Sequence, residues 1–495
     1  MMSSLGFLII FCLRSNLSVA LVAMTFINES MTNKLINQSS ECPAPYLPVH
    51  NETDIKGEFE WNEDIQGIIL GSFYYGYFIT QIPGGWLAQY IGGKHLVGFS
   101  TLVTSILTIL SPFAARYHWT MLMAVRILEG AVQGVTYPAM HAMWGRWAPK
   151  SERSKLVSIT YSGAGSGTTI GLLASGYLCE WKVAGGWPAT FYIFGSIGCV
   201  WFIIWTILIY DLPEDHPRIS ASELQLLKTT TSSLQLDDQN KPPWKSILSS
   251  SAVWGIVAAH VANEFGFFSL SSCLPTYMKY ILNYDIMQVS QNSSEIQNTY
   301  GVTIFISSDG FLSALPYMVL LVLTLVGGQV ADIIRMKQWL STGSTRKLMN
   351  TIGLLVPASL MLVLGYVNCD STLAVALLTA AVGMTGLTSA GYSCNHLDIA
   401  PQFAGVLMGL TNMLGTSTGF IGPYIVSLLT DNNQTRKQWQ KFFYIVSGIY
   451  AAGGILFLFV AQGEEQIWSI KATLKQQKRE KTFSVQNPAE DDEEN

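Results

Sequence analysis

A few ionisable residues lie inside long apolar segments of this sequence, where a charge has a high energetic cost. Arg14 stands midway along the apolar stretch Leu5–Ile27. An arginine inside a bilayer must face protein or water, and its guanidinium can hold a carboxylate through two parallel hydrogen bonds. We therefore interpret Arg14 as the positive charge of an anion-binding site. The alternative is a structural pair with a buried acid.

A second group of polar residues shares one helix face, because its members are spaced three and four positions apart. Arg126, Glu129 and Gln133 follow this spacing within the segment Trp119–Trp144. A carboxylate buried beside an arginine can take up and release a proton, so we predict proton coupling at Glu129 and substrate binding at Arg126. The alternative is a permanent pair that only fixes the helix. His141 is a further proton-coupling candidate, or a helix-end histidine bonded to a loop.

One more acid interrupts an apolar segment in the second part of the chain. Glu264 lies within Ala252–Thr276. An acid inside a membrane span is functional by default, which makes Glu264 another candidate for proton coupling. The alternative is an acid held in a polar contact between helices.

Neutral polar and aromatic side chains complete the set of candidate binding residues. Ser393 and Asn395, followed by His396, carry hydrogen-bonding groups suited to sugar hydroxyls. Tyr75 and Tyr161 can add aromatic and hydroxyl contacts to a substrate. Packing in the core is the alternative for each tyrosine, since aromatic residues are abundant in helix bundles.

These residues belong to a chain with the composition of a membrane protein. Of its 495 residues, 49% are hydrophobic and only 12% are charged. A soluble domain is about 25% charged. The composition excludes a soluble enzyme, a nucleic-acid-binding protein and a secreted disulfide scaffold. The sequence has no Gly-x-x-x-x-Gly-Lys-Ser/Thr loop and no Cys/His cluster, so we expect no cofactor and no metal.

Twelve segments are long and apolar enough to cross a bilayer, which needs about 20 residues. In chain order they are Leu5–Ile27, Ile65–Gly93, Leu96–Ala115, Trp119–Trp144, Leu156–Cys179, Val183–Tyr210, Ala252–Thr276, Gly310–Ala331, Leu348–Cys369, Ser371–Leu397, Ile399–Thr430 and Phe442–Gly463. We predict an all-α integral membrane protein with twelve transmembrane helices in two six-helix halves. The halves span residues 1–210 and 252–463, with a cytoplasmic loop at 211–251 and a disordered cytoplasmic tail at 464–495.

Features of the loops predict that both termini are cytoplasmic. Most of the 28 Lys and Arg residues then lie on the cytoplasmic side, as the positive-inside rule requires. Cys42 and Cys369 fall on the opposite, oxidising side, where a disulfide between them is one option. The predicted glycosylation sites also fall on that side: Asn28, Asn37, Asn51, Asn292 and Asn433.

An internal repeat links the two halves. Residues 84–89 read Gly-Gly-Trp-Leu-Ala-Gln, and residues 327–332 read Gly-Gly-Gln-Val-Ala-Asp. Both copies stand at the cytoplasmic end of the second helix of a half, where glycines let helices approach closely. Two parallel halves that rock about a central site are the plan of the major facilitator superfamily.

Longer motifs resemble those of the family of sialin, the vesicular glutamate transporters and the sodium-phosphate cotransporters. They lie at Phe73–Tyr77 with Gln81–Gly85, Arg126–Gly130 with Gly134–Trp144, Leu274–Met278 and Asn395–Pro401. The resemblance runs from about Leu13 to Gly463. It implies the major facilitator fold and secondary active transport of small organic anions by alternating access, with Arg14 on the substrate.

The resemblance further implies proton-coupled export or symport of sialic acid or another acidic sugar. The family reads Glu-Gly-x-x-Glu-Gly with both acids linked to proton coupling, but Gln133 replaces the second acid here. Glu264 stands where sialin-like members have asparagine and is a candidate replacement for that acid. Asn263 stands where vesicular glutamate transporters have arginine, which argues against glutamate as the substrate.

Other modes of transport and other classes of protein stay open at this point. The alternative within transport is a sodium-coupled carrier of phosphate or of another organic anion, so the coupling ion is H⁺ or Na⁺. A channel or receptor is the alternative from a different class. We expect a monomer in a lysosomal, vesicular or plasma membrane, with a small anion and lipid as its partners and no nucleic acid.

Two regions of the chain depart from the family pattern in length. An extra polar stretch, residues 290–309, precedes Gly310–Tyr317, which matches the family's eighth span. It is either a luminal loop glycosylated at Asn292 or an intron translated in frame, whose removal restores the family pattern around a single asparagine. The chain also begins almost inside its first span, so we expect an incomplete N-terminus.

Overall fold

The computed structural model is built from helices. It describes residues 1–25, 57–180, 185–230, 242–280, 308–430 and 435–475. Within these residues the only β feature is an isolated bridge between Thr25 and Phe59. The five predicted glycosylation sites, Cys42 and nearly all of the 290–309 stretch lie outside the described residues.

The first half has the six spans that the sequence predicts. Their helices are Met2–Met24, Glu63–Tyr90, Gly93–Tyr117, Trp119–Gln133 with Thr136–Trp147, Arg153–Glu180 and Pro188–Leu208. Polar side chains mark where some of them begin. Asn62, for example, accepts a hydrogen bond from the Ile65 N–H at the start of the second helix and satisfies one of its free donors.

The second half repeats this arrangement. Its helices are Ser251–Tyr280, Ser308–Met336, Thr342–Leu364, Ser371–Met384 with Tyr392–Ile399, Ala404–Thr416 with Thr418–Thr430, and Arg436–Val460. Two short helices, Ala221–Thr230 and Trp244–Ser249, lie between the halves. Eight of the described segments are each long and apolar enough to cross a membrane. The prediction of an all-α membrane protein with twelve spans in two halves is confirmed.

Several spans are interrupted inside the bundle. The fourth breaks at Gly134 and Val135, because Pro138 has no N–H to donate to the carbonyl of Gly134. The tenth passes through a 3₁₀ turn, Thr385–Ser389, where the Thr388 hydroxyl donates to the Thr385 carbonyl at 2.7 Å. Irregular backbone at membrane depth is tolerated only where protein surrounds it or where it lines a cavity.

Glycines allow the second and fourth spans to touch backbone to backbone. A Cβ atom on Gly76 would lie 1.9 Å from the Ile127 carbonyl oxygen, and one on Gly130 would lie 1.9 Å from the Phe73 carbonyl oxygen. Helices in lipid gain no hydrophobic free energy by associating, so close packing through small residues stabilises such crossings instead. This contact fixes the fourth span, and with it Arg126, against the second span.

Buried ion pairs join the two halves at one end of the bundle, which we call the basic end after Arg146, Arg153, Arg335 and Arg346. Asp398 accepts hydrogen bonds from Arg153 of the first half at 3.0 Å and from Arg346 of the second half at 2.6 Å. Asp332 accepts from the backbone N–H groups of Ser154 and Lys155, at the start of the fifth helix. The basic end is therefore closed by charge-assisted contacts across the halves.

The predicted disordered tail is partly ordered, which corrects the sequence prediction. Residues 467–475 are helical. Trp468 packs against Phe403 at 6.0 Å between ring centroids, and Gln402 donates to the Ser469 carbonyl at 3.0 Å. These contacts bury apolar surface that the sequence alone assigns to solvent. Residues 476–495 lie outside the described part of the chain.

Candidate functional site

A cavity of about 120 Å³ lies between the two halves, midway along the bundle. Its wall combines one guanidinium, one carboxylate, several aromatic rings and many hydroxyl and amide groups. The polar and aromatic lining residues include Arg14, Tyr77, Tyr137, Tyr161, Ser162, His260, Asn263, Glu264, Thr388, Tyr392, Ser393 and Asn412. The arrangement is that of a ligand site formed by both halves.

Arg14 reaches this cavity from the middle of the first helix, among aromatic rings. Its guanidinium carbon lies 4.8 Å from the ring centroids of both Phe73 and Tyr74, 5.3 Å from that of Tyr77 and 5.5 Å from that of Phe268. Its Nη2 is buried and has no hydrogen-bond partner among the described residues. Ring faces stabilise the cation but accept no strong hydrogen bond, so a donor is left for an anion.

Arg126 and Glu129 form the pair that their spacing predicts, outside the cavity wall. Arg126 Nη1 lies 2.6 Å from Glu129 Oε2, and the Thr108 hydroxyl donates to Glu129 Oε1 at 3.0 Å. Arg126 Nη2 also approaches the backbone carbonyl of Arg14 at 3.4 Å. The pair is therefore connected to the cavity through the backbone that supports Arg14. Gln133 is buried near this pair, and its amide has no partner among the described residues.

Glu264 lines the cavity itself, on the wall formed by the seventh span. Its Oε1 lies 4.0 Å from His260 Nε2, one helical turn earlier. The Glu264 side chain is 19% exposed, whereas that of Glu129 is 1% exposed. Of the two acids, Glu264 is therefore the one in direct contact with the cavity.

His141 lies between the halves rather than at a helix end facing a loop. It belongs to Thr136–Trp147, the segment after the break in the fourth span. Its Nε2 lies 3.0 Å from the Ser393 carbonyl oxygen, and its Nδ1 forms a short hydrogen bond with the Tyr161 hydroxyl. Tyr161 and Ser393 both line the cavity, so His141 connects the fifth and tenth spans at its edge.

Besides Arg126, two more of the predicted binding residues lie away from the cavity. Tyr75 is 52% exposed and is not among the lining residues. Asn395 donates to the Gln462 carbonyl at 2.7 Å, near the basic end. Tyr77, which sequence reasoning missed, faces the cavity and receives a hydrogen bond from Asn412 at 3.3 Å. The four-residue spacing of the buried side chains Phe73 and Tyr77 was the signal that could have identified it.

The described residues offer no metal site, because no three His, Cys, Asp or Glu side chains among them are grouped as ligands would be. The cavity instead provides one cation and one acid, aromatic surface and neutral hydrogen-bonding groups. Such a wall can bind a small organic anion and can exchange a proton with it.

Comparison with known sequences identifies close relatives of the chain. The sequence profile of the Major Facilitator Superfamily matches residues 4–423. Human sialin is 43% identical over 468 residues, which are 94% of this chain and 89% of sialin. Sialin of Ovis aries is 42% identical over 95% of this chain and 90% of the length of that sialin. Human vesicular glutamate transporter 2 is 36% identical over 94% of this chain and 74% of the length of that transporter.

Solved structures with the same fold are much more distant in sequence. A proton:xylose symporter bound to 6-bromo-6-deoxy-D-glucose superposes with a TM-score of 0.67 at 14% identity, over 95% of this chain and 97% of the symporter. The E. coli fucose:proton symporter superposes with a TM-score of 0.58 at 12% identity, over 93% of this chain and 98% of its own. At these identities the likeness establishes the fold alone.

Proposed function

Because this chain belongs to the Major Facilitator Superfamily, we propose that it is a proton-coupled symporter of small organic anions, with sialic acid or another acidic sugar as its substrate. The fold and the relatives make it a multi-pass membrane transporter rather than an enzyme. The observation that carries the proposal is Arg14, a buried guanidinium at the central cavity whose Nη2 has no partner in the described part of the chain.

The cavity wall fits an acidic sugar in both its charge and its neutral groups. Arg14 holds the carboxylate through charge-assisted hydrogen bonds, which are roughly twice as strong as neutral ones. Tyr137 and Tyr161 offer ring faces and hydroxyls to the sugar, and Ser162 and Asn412 offer further donors and acceptors. Asn263 adds no second positive charge to the wall, which favours one acidic group on the substrate over two.

Glu129 carries the coupled proton in this proposal. When Glu129 is ionised, it holds Arg126, whose second nitrogen contacts the carbonyl of Arg14. When Glu129 takes up a proton, Arg126 loses its charged partner, and the backbone that supports Arg14 loses a constraint. Protonation of Glu129 and anion binding at Arg14 are then coupled through Arg126.

We also propose that both termini are cytoplasmic, which places the basic end on the cytoplasmic side. A disulfide supports this orientation. Cys369 is disulfide-bonded and follows the ninth helix, at the end of the bundle opposite to the basic end. Disulfides persist in oxidising compartments, such as the exterior or a secretory lumen. We propose a monomer in a lysosomal, vesicular or plasma membrane, since one chain forms the whole cavity.

Uptake of radiolabelled sialic acid into proteoliposomes tests this function. Accumulation should require an imposed proton gradient and should collapse when a protonophore is added. Unlabelled phosphate, glutamate and a neutral hexose should compete poorly. Accumulation driven by a sodium gradient would instead establish sodium coupling, and strong competition by phosphate would favour a phosphate carrier.

A further inference from the structure

A chain of polar side chains leads from the cavity towards the basic end, and the proposed mechanism does not use most of it. Glu264 Oε1 faces His260 Nε2 at 4.0 Å, and His260 Nδ1 lies 3.0 Å from the Thr411 hydroxyl. The same hydroxyl lies 2.8 Å from His396 Nε2. His396 Nδ1 lies 3.0 Å from the Ser393 carbonyl oxygen. His260, His396 and Thr411 are all buried.

Hydrogen-bond donors and acceptors along this chain can be assigned from its fixed end. The Ser393 carbonyl can only accept, so His396 carries its hydrogen on Nδ1 and has a lone pair on Nε2. The Thr411 hydroxyl therefore donates to His396 Nε2, since its other acceptor, the Met408 carbonyl, is farther away at 3.4 Å. Thr411 has no second hydrogen, so His260 must donate from Nδ1, which leaves the lone pair of His260 Nε2 facing Glu264.

This assignment leaves two acceptors facing each other when Glu264 is ionised. A carboxylate oxygen and an unprotonated ring nitrogen cannot form a hydrogen bond, and the 4.0 Å separation agrees with that. One added proton turns them into a donor and an acceptor. We propose that Glu264 and His260 together bind one proton at the cavity, and that Thr411 passes it to His396 in the direction of the basic end.

The transfer balances without an outside reactant. Protonated Glu264 gives its proton to His260 Nε2, and His260 releases its Nδ1 proton to the oxygen of Thr411. Thr411 in turn releases its original hydroxyl proton to His396 Nε2. The products are the Glu264 carboxylate, a neutral His260 with its hydrogen on Nε2, and a His396 imidazolium. The Thr411 hydroxyl now donates to His260 Nδ1, so each hydrogen bond along this chain of side chains has exchanged its donor and acceptor.

Charged groups lie at both ends of this chain. At the cavity, Arg14 across from Glu264 favours the carboxylate and so the release of the proton. At the other end, Asp398 lies two residues after His396 on the same short helix, and Arg153 and Arg346 hold its carboxylate. Other titratable side chains from the elements packed around the chain are Tyr77, Tyr137, His141, Tyr161, Tyr392 and Tyr450. Arg14 therefore favours release of the proton at the cavity, and the lone pair on His396 Nε2 accepts it at the other end of the chain.

The inference deepens the proposed function, on which its role in transport rests, but proton binding can be measured without any substrate. Infrared difference spectra of the purified protein in lipid, recorded between about pH 8 and about pH 5, report protonated carboxyl groups. Glu264→Gln should remove a carboxyl band, and His260→Gln should shift the frequency and the midpoint of that band. Spectra of Glu264→Gln that match the unsubstituted protein, or an unshifted band in His260→Gln, would overturn the shared proton site.

The transfer step is tested at Thr411, which neither lines the cavity nor titrates. Thr411→Val removes the hydroxyl and should reduce proton-driven accumulation by at least about tenfold, while exchange of labelled for unlabelled substrate continues. Thr411→Ser keeps the hydroxyl and should retain accumulation. Equal accumulation by Thr411→Val and Thr411→Ser would overturn the relay. If the unsubstituted protein carries no organic anion, the proposed function fails, and the infrared result still decides the proton site.

Discussion

At Arg14 a guanidinium lies among aromatic rings, which stabilise its charge without neutralising it. Each cation–π contact contributes about 0.5 to 2 kcal/mol, depending on how far water is excluded. Several such contacts offset part of the cost of a charge inside the bilayer. A carboxylate that enters the cavity can then pair with Arg14 without first breaking an ion pair. Burying the charge of Arg14 therefore costs less free energy in the protein without substrate, and the guanidinium still attracts an anion strongly.

Substitution of Arg14 should abolish transport of acidic substrates. Arg14→Ala removes a charged hydrogen bond worth about 1.5 to 3 kcal/mol, which corresponds to a loss of about 10- to 100-fold in affinity. Arg14→Lys should restore binding only in part, because an ammonium cannot make two parallel bonds to a carboxylate. Equilibrium binding of labelled substrate measures both effects. Tyr75→Phe, outside the cavity, is the control, and wild-type affinity in Arg14→Ala would contradict the assignment.

Glu129→Gln should separate proton coupling from substrate exchange. The amide is similar in shape to the acid but cannot be ionised, so the variant should lose accumulation driven by a proton gradient. Exchange across the membrane should continue, because Arg14 is still present. Thr108→Val, which removes only a hydrogen bond to Glu129, serves as the control. Unchanged pH dependence of uptake in Glu129→Gln would show that another residue couples the proton.

The charged residues of the site could be predicted from the sequence, but its neutral residues could not. Arg14 and Glu264 stand out because charges are rare in apolar segments, and both line the cavity. Tyr75 and Tyr77 have the same residue type in the same motif, and only the rotation of the helix decides which one faces inward. That rotation depends on tertiary packing, which a single sequence does not report.

At the scale of elements, the twelve spans could be predicted from hydropathy, whereas the breaks inside them could not. Hydropathy is averaged over a window of residues, so it does not detect the helix break at Gly134 and Val135 within the apolar fourth span. The break matters for the site because His141 lies on the segment that follows it. The order of the tail after Gly463 was missed for a similar reason, since Trp468 packs against the core of the second half, including Phe403, only in the folded chain.

The crossing of the second and fourth spans should tolerate no side chain larger than hydrogen at Gly130. A Cβ atom there would lie 1.9 Å from a backbone oxygen, so Gly130→Ala must push the helices apart and displace Arg126. We expect a large loss of folded protein and of thermal stability. Gly448→Ala is the matched control, since a Cβ atom there would meet nothing within 4 Å. It should be neutral or stabilising by about 0.4 to 1 kcal/mol. Similar melting temperatures for the two variants would contradict this packing.

At the scale of the whole molecule, alternating access requires the contacts that close one end to be breakable. Among the contacts that close the basic end, Asp398 is shared by an arginine from each half. Removing one partner from a buried ion pair costs about 3 to 5 kcal/mol, because the remaining charges are left uncompensated. The closed form should therefore depend strongly on this single carboxylate, while the cores inside each half keep the helices assembled.

Asp398→Asn should open the basic end without unfolding either half. Arg153 and Arg346 would then carry unpaired charges, which are hydrated when the halves separate. Cys394 is a free, fully buried cysteine between them, so opening should expose its thiol. A membrane-impermeant maleimide applied from the side of the basic end, with labelled peptides mapped by mass spectrometry, should modify Cys394 several times faster in Asp398→Asn than in the unsubstituted protein. Glu58→Gln removes the charge that Arg116 and the Trp187 N–H contact at the opposite end and should leave the rate unchanged. An unaltered rate in folded Asp398→Asn would mean that other contacts keep this end closed.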